Sequence, residues 1–148
     1  MIRKRPIDGY LTEHPLFAGC SKRQLKDLSG LATAVTLRAG RALAREGEVA
    51  QELVLIENGR VAVKRNDTVI ATLGRGDFFG EIALIRACRH TATVYAETDI
   101  EAQVISQQDL WRMLEVAPRL SAVLIGESEQ RLKWVQNSHR VEAEKTSA

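Results

Sequence analysis

The sequence predicts an α+β domain in which helices at both ends of the chain flank a run of short strands closed as a sandwich or barrel. Three observations carry that expectation. Leu25, Leu28 and Leu31 recur at helical spacing ahead of residue 34. Between there and about residue 106, short apolar runs alternate with the turn pairs Asn58-Gly59, Asn66-Asp67 and Thr98-Asp99. Helical spacing then returns with Leu110, Met113 and Leu114.

Each element has a local reason. Ser21 is a suitable N-cap for the first long helix, since its hydroxyl can accept from the unpaired amides of the first turn, and Gly30 stands near its end. Upstream, Leu11, Leu16 and Phe17 form an apolar segment interrupted by Pro15. Strands are expected at 34–39 and 43–45 on either side of Gly40, then at 53–57. Asn58-Gly59 reads as a hairpin turn because both residues tolerate positive φ, with 60–65 as its return strand. Asn66-Asp67 leads into 68–73, where Val69, Ala71 and Leu73 alternate with Thr68, Ile70 and Thr72. Residues 91–96 and 100–105 form a last pair around Thr98-Asp99. Pro118 separates two C-terminal helices, the second carrying Leu120, Val123, Leu124, Leu132 and Val135 along one stripe.

Composition excludes several function classes. The formal net charge of +2 is too small for a nucleic-acid footprint, and Arg3, Lys4 and Arg5 read as a solvated end. No apolar run approaches the roughly 20 residues that span a bilayer, and an apolar signal core is missing from the N-terminus. Cys20 and Cys88 have no metal-ligand spacing, so reduced thiols and a cytoplasmic location are expected. No nucleophile–base arrangement stands out, which argues against an enzyme, and neither a metal nor a cofactor is called for.

The chemistry concentrates in one stretch, Gly74-Arg75-Gly76-Asp77-Phe78-Phe79-Gly80-Glu81-Ile82-Ala83-Leu84-Ile85, followed by Arg86-Ala87-Cys88-Arg89-His90-Thr91-Ala92-Thr93-Val94. Its glycines let backbone approach a ligand closely. A turn starting at Gly80 would aim free amides at an anion. Glu81 offers paired acceptors for a sugar hydroxyl; Arg86, Arg89 and His90 bring positive charge, and Thr91 a hydroxyl. Together they suit a small molecule with one negative charge and a ribose. The spacing fits neither the dinucleotide glycine fingerprint nor a P-loop, and read alone the glycines also fit simple turn punctuation.

Phe79-Gly80-Glu81-Ile82-Ala83-Leu84-Ile85 with Thr91-Ala92-Thr93-Val94 resembles the phosphate-binding cassette of the cyclic-nucleotide-binding domain family, which includes the catabolite activator protein and the regulatory subunit of protein kinase A. His14-Pro15-Leu16-Phe17, Glu46-Gly47-Glu48 and residues 53–63 extend the likeness over nearly the whole chain. The resemblance implies an antiparallel, jelly-roll-like β-roll of about eight strands with N-terminal helices and two C-terminal helices. The single domain over 1–148 then divides into N-terminal helices (1–32), β-roll (33–106), C-terminal helices (107–138) and a polar tail (139–148). By the same resemblance Gly80, Ile82 and Ala83 present backbone amides to the ligand, Glu81 accepts the ribose 2′-hydroxyl, and Thr91 meets the cyclic phosphate. Val61, Val63 and Leu73 wall the base, and one of Arg131, Leu132, Trp134 or Val135 caps it.

One position departs from the family pattern. The phosphate-binding arginine of the family immediately precedes the Ser/Thr/Ala-Ala pair, and here His90 stands there with Arg89 before it. Arginine is a permanently charged fork, whereas histidine is mostly neutral near neutral pH. Losing a charge-assisted hydrogen bond costs roughly 1.5–3 kcal/mol, one to two decades of affinity. Three readings follow: His90 protonated on the phosphate, Arg89 in its stead, or a pocket that has lost cyclic nucleotides. The expected function is a sensor module that binds a cyclic nucleotide, cAMP ahead of cGMP, and signals to a protein partner by moving its C-terminal helices. The alternative is a ligand-independent interaction or dimerisation module with a degenerate cassette, paired through the C-terminal helix. With no helix-turn-helix before Ala148, neither DNA nor membrane is an expected partner.

Overall fold

The computed structural model describes residues 3–5, 15–80, 89–126 and 130. In chain order these form β1 (Arg3–Arg5), a 3-10 turn (Pro15–Phe17), α1 (Lys22–Ser29), β2 (Thr33–Leu37), β3 (Ala42–Ala44), β4 (Glu52–Asn58), β5 (Val61–Arg65), β6 (Thr68–Leu73), β7 (Phe78–Phe79), β8 (Thr93–Ala96), β9 (Ile100–Ser106) and α2 (Gln107–Val116). A further helix, α3, covers residues 119–126. Among the described residues all strand pairings are antiparallel. One sheet has the order β1-β2-β9-β4-β7 and the other β3-β8-β5-β6. The architecture is the expected β-roll with helices at its N- and C-terminal sides.

β4 shows why two layers of core form. Its residues from Leu53 to Glu57 are all buried. Period-2 alternation sends Val54 and Ile56 into the roll interior with Val61, Val63 and Phe79. Leu53 and Leu55 face the other way, onto Phe17, Leu28, Leu110 and Leu124 of the helices. Truncating a leucine so placed costs about 2–5 kcal/mol.

The helix boundaries follow local chemistry. Ser21 caps α1 through a complete capping box, accepting from the Gln24 amide at 3.1 Å while the Gln24 side chain accepts from the Ser21 amide. Gly30 ends the helix in an ordinary right-handed conformation. Ser106 caps α2 by accepting from the Asp109 amide at 3.2 Å. The helix closes at Ala117, ahead of Pro118. In α3, Leu120 and Leu124 are buried, but Val123 is exposed and lies off the buried stripe. Leu132 and Val135 lie outside the described residues.

Four expectations need correction. Residues 53–63 are not a paired hairpin, because β4 and β5 belong to different sheets. Asn58 ends β4 in extended backbone and only Gly59 has positive φ (106°), whereas a two-residue hairpin of this kind needs both central residues there. Likewise β8 and β9 sit in different sheets, so Thr98-Asp99 is a corner between layers. The tight hairpin is Asn66-Asp67, with φ of 49° and 64°, closing the Arg65–Thr68 pair. A register shift between Val63 and Lys64 breaks the alternation of β6, leaving Val69 51% exposed while Leu73 stays buried. Finally, Arg3–Arg5, read as a solvated end, adds an edge strand whose backbone pairs with β2.

Candidate functional site

The entry to the glycine-rich segment is fixed by backbone hydrogen bonds. Gly74 and Asp77 close a tight turn on each other, Asp77 N donating to the Gly74 carbonyl and Gly74 N to the Asp77 carboxylate, both at 2.9 Å. Gly76 N and Asp77 O bond to Ile56 at 3.1 and 2.9 Å, which docks the turn on β4. The chain therefore enters β7 in register, Phe79 opposite Val54 and Phe78 opposite Leu55. Gly80 follows with φ of 99°. A Cβ there would lie 2.4 Å from the Glu52 carbonyl oxygen, so both conformation and close approach demand glycine.

The exit is held by the turn between β3 and β4. Gly47 N donates to the His90 carbonyl and His90 N to the Glu48 carbonyl, each at 2.9 Å. Arg89 is exposed, and its Nη1 donates to the Gly47 carbonyl at 2.9 Å. Thr93 Oγ1 accepts from the Glu46 amide at 3.0 Å. Thr91, half-buried, receives Nη1 of Arg65 on its carbonyl at 2.8 Å. Gly80 and Thr91 thus lie at the two ends of a segment whose ends are both tied to neighbouring strands. Glu81, Ile82 and Ala83, the expected ribose and amide contacts, lie outside the described residues, as do Cys88 and the four candidate caps.

His90 is half-buried on the wall of a cleft of about 520 Å³ that Phe79, Val35, Val54, Glu48 and Gln51 also line. Burial pushes the imidazole below its ordinary pKa, and the Glu48 carboxylate opposes this only in part. The ring is therefore neutral at physiological pH, with one N–H donor. Val61, Val63 and Leu73 are buried on the inner wall of the roll, with Val61 directly opposite Leu73. None of the three borders this cleft. The described residues include no group of three or more His, Cys, Asp or Glu side chains that could hold a metal.

Arg65 is the residue that reading the sequence passed over. It ends β5, and its side chain is only 12% exposed. The signal was present: Val61, Val63 and Arg65 share one face of a strand, while Lys64 turns outward, its Nζ 5.1 Å from the centre of the Tyr95 ring. A charged residue at a strand end ordinarily reads as solvated, which is why the pattern was not informative by itself.

Comparison with known proteins agrees with this geometry. The family model for the cyclic nucleotide-binding domain matches residues 34–116. The cAMP-dependent protein kinase regulatory subunit of Yarrowia lipolytica is 32% identical over 114 residues, covering 76% of this chain and 30% of that protein. The chain therefore spans less than a third of that relative's length. A solved structure of PKAR CBD2 with Sp-2Cl-cAMPS bound superposes with a TM-score of 0.79 at 18% identity, covering 88% of each chain. The regulatory subunit of a cAMP-independent protein kinase A from Trypanosoma brucei superposes with a TM-score of 0.73 at 23% identity, over 81% of this chain and 45% of that one. A triple mutant of the same protein, in which one substitution replaces threonine by arginine, was bound to cAMP in its A site. The docked turn, the close-packed Gly80, the anchored Thr91 and the match over residues 34–116 lead to one assignment: this chain belongs to the cyclic nucleotide-binding domain family.

Proposed function

We propose that the chain is a sensor module that binds a cyclic nucleotide, cAMP in preference to cGMP, and signals to a protein partner through its C-terminal helices, without catalysing a reaction. The observation that carries this reading is the anchoring of the cassette at both ends, Gly80 against Glu52 and Thr91 against Arg65. Two ends so held lower the ordering cost of an anion contact made between them. In this reading the Glu81 carboxylate accepts the ribose 2′-hydroxyl, and His90 gives the cyclic phosphate one neutral N–H bond. The kinship with cAMP-dependent kinase regulatory subunits supports cAMP as ligand and a protein as partner.

The helices provide the output. α2 stops at Ala117 and α3 begins after Pro118, so the two move as separate rods about one break. Arg119, at the start of α3, donates to the carbonyls of Gly19 (2.9 Å) and Ala18 (3.4 Å), tying the helix to the 3-10 turn. Ligand binding that favours a second helix position must break these bonds. No helix among the described residues is long and apolar enough to cross a membrane, and a cytoplasmic location suits the reading.

Isothermal titration with cAMP and cGMP, at about pH 6 and about pH 8, tests the proposal. Saturable heat with cAMP supports it. A folded chain that gives no heat with either nucleotide sinks it. That outcome favours the second reading, a ligand-independent interaction or dimerisation module, for which the exposed Trp111, Val123 and Ile125 on α2 and α3 are the specific observation.

A further inference from the structure

α1 carries its charge in the order opposite to the one a helix dipole favours. Lys22 and Arg23 occupy the first turn, where unpaired amides make the helix end positive, and Asp27 stands in the last turn. Lys22 and Lys26 are four residues apart, a like-charge spacing that disfavours the helix. All three cations are exposed, and none forms an ion pair among the described residues. The opposite face accounts for their common direction: Leu25 and Leu28 pack on the core, and Gln24 Nε2 donates to the Val116 carbonyl at 3.3 Å. A fourth cation is fixed beside them. Arg119 of α3 donates to the carbonyls of Ala18 and Gly19, the latter three residues ahead of Lys22. Its guanidinium lies against Gly19, where φ is 86° and a Cβ would meet the Arg119 side chain.

Charge that a helix carries against its own stability serves recognition rather than folding. We propose that the exposed face of α1, with Arg119 beside it, docks an acidic polypeptide segment of a protein partner. The inference rests on the sensor reading above only in taking the partner to be a protein. Size and composition select this occupant. A helix of eight residues is about 12 Å long, a span that a few residues of extended chain cover. The four cations fall short of the roughly 6–10 phosphate contacts of a typical DNA site. α1 exposes no large apolar side chain that could enter a bilayer. Carboxylates on an extended segment can meet Lys22 and Lys26 one helical turn apart and relieve the positive charge at the first turn.

The test is fluorescence anisotropy of a labelled Glu-rich peptide titrated with the full chain, at about 20 mM and about 150 mM salt. Wild type is expected to bind, and less tightly at the higher salt. Lys22→Glu is expected to weaken binding by about fivefold. It is also expected to raise the melting midpoint, because an acid in the first turn suits the dipole and pairs with Lys26. Arg38→Glu makes the same charge change on an exposed residue just past β2 and is expected to alter Kd by less than about twofold. Absence of peptide binding at low salt, or equal losses in the two variants, overturns the assignment. A lowered midpoint for Lys22→Glu removes its premise and overturns it too. Tighter binding to phosphatidylserine vesicles, or to a single-stranded DNA oligonucleotide, than to the peptide has the same consequence. Failure here leaves cAMP binding untouched, whereas a chain that binds the peptide but gives no heat with cAMP overturns only the sensor reading.

Discussion

Gly80 is wedged against β4: a Cβ on it would stand 2.4 Å from the carbonyl oxygen of Glu52 and 3.6 Å from Cα of Leu53. The first of these neighbours is backbone in a central strand, so it cannot swing aside. The contact makes Gly80 the point at which the roll dictates where the cassette begins.

Gly80→Ala is accordingly expected to lose stability by about 2–4 kcal/mol, from a positive φ that costs an L-residue roughly 1–2 kcal/mol together with the clash. Urea denaturation measures it. A loss under about 0.5 kcal/mol, the range of neutral surface changes, would show that the backbone relaxes freely at this junction.

His90 makes both stability and binding depend on pH. Its pKa in the folded chain is lowered by burial, so the unfolded chain takes up its proton first as pH falls. Stability from this group is full above the unfolded value and is lost between that value and the lower folded one. Under the proposed function a bound phosphate favours the imidazolium, so nucleotide affinity is expected to move the other way, rising as pH falls. His90→Gln is expected to flatten both trends between about pH 5 and pH 8, read by urea midpoints and by titration. Slopes that persist in the variant would assign them to another group.

The Asn66-Asp67 turn carries two non-glycine residues at positive φ, 49° and 64°. Asn-Gly is the favoured pair for this geometry, so Asp67→Gly is expected to raise stability by about 0.5 kcal/mol. Thermal melting checks it, with a rise of roughly 1–2 °C at this chain length. A lower midpoint would mean that the Asp67 side chain stabilises the hairpin more than its backbone strains it.

Arg119 holds the carbonyls of Gly19 and Ala18 from a position 100 residues along the chain. Arg119→Ala is expected to cost only about 1 kcal/mol globally, since the contact is exposed. Its sharper effect is local: amide exchange should quicken over residues 15–20 and the first turn of α3. Uniform exchange in wild type and variant would remove this tie from any account of helix movement.

Several features were legible because they depend on short-range chemistry. The capping box at Ser21 and Gln24, the end of α2 before Pro118 and the glycine-rich segment ending at Gly80 each follow from a few neighbouring residues. The partnering of strands was not legible. Asn58-Gly59 and Thr98-Asp99 have the composition of hairpin turns, yet each connects one sheet to the other. A turn's composition sets its dihedral angles but not which strand lies alongside the next one.

The sequence by itself determined that this chain folds as a β-roll of the cyclic nucleotide-binding family, and that position 90 carries histidine where the family carries arginine. Tertiary structure decided what surrounds that histidine. Only the folding of β5 against β8 brings Arg65 to the carbonyl of Thr91, 26 positions along the chain. Only the turn from Glu46 to Glu48 ties Arg89 to Gly47 and pairs with the His90 backbone, and burial in the folded chain lowers the His90 pKa. Local patterns record which face of a strand a residue occupies; which charges meet across that face depends on packing between strands distant in sequence.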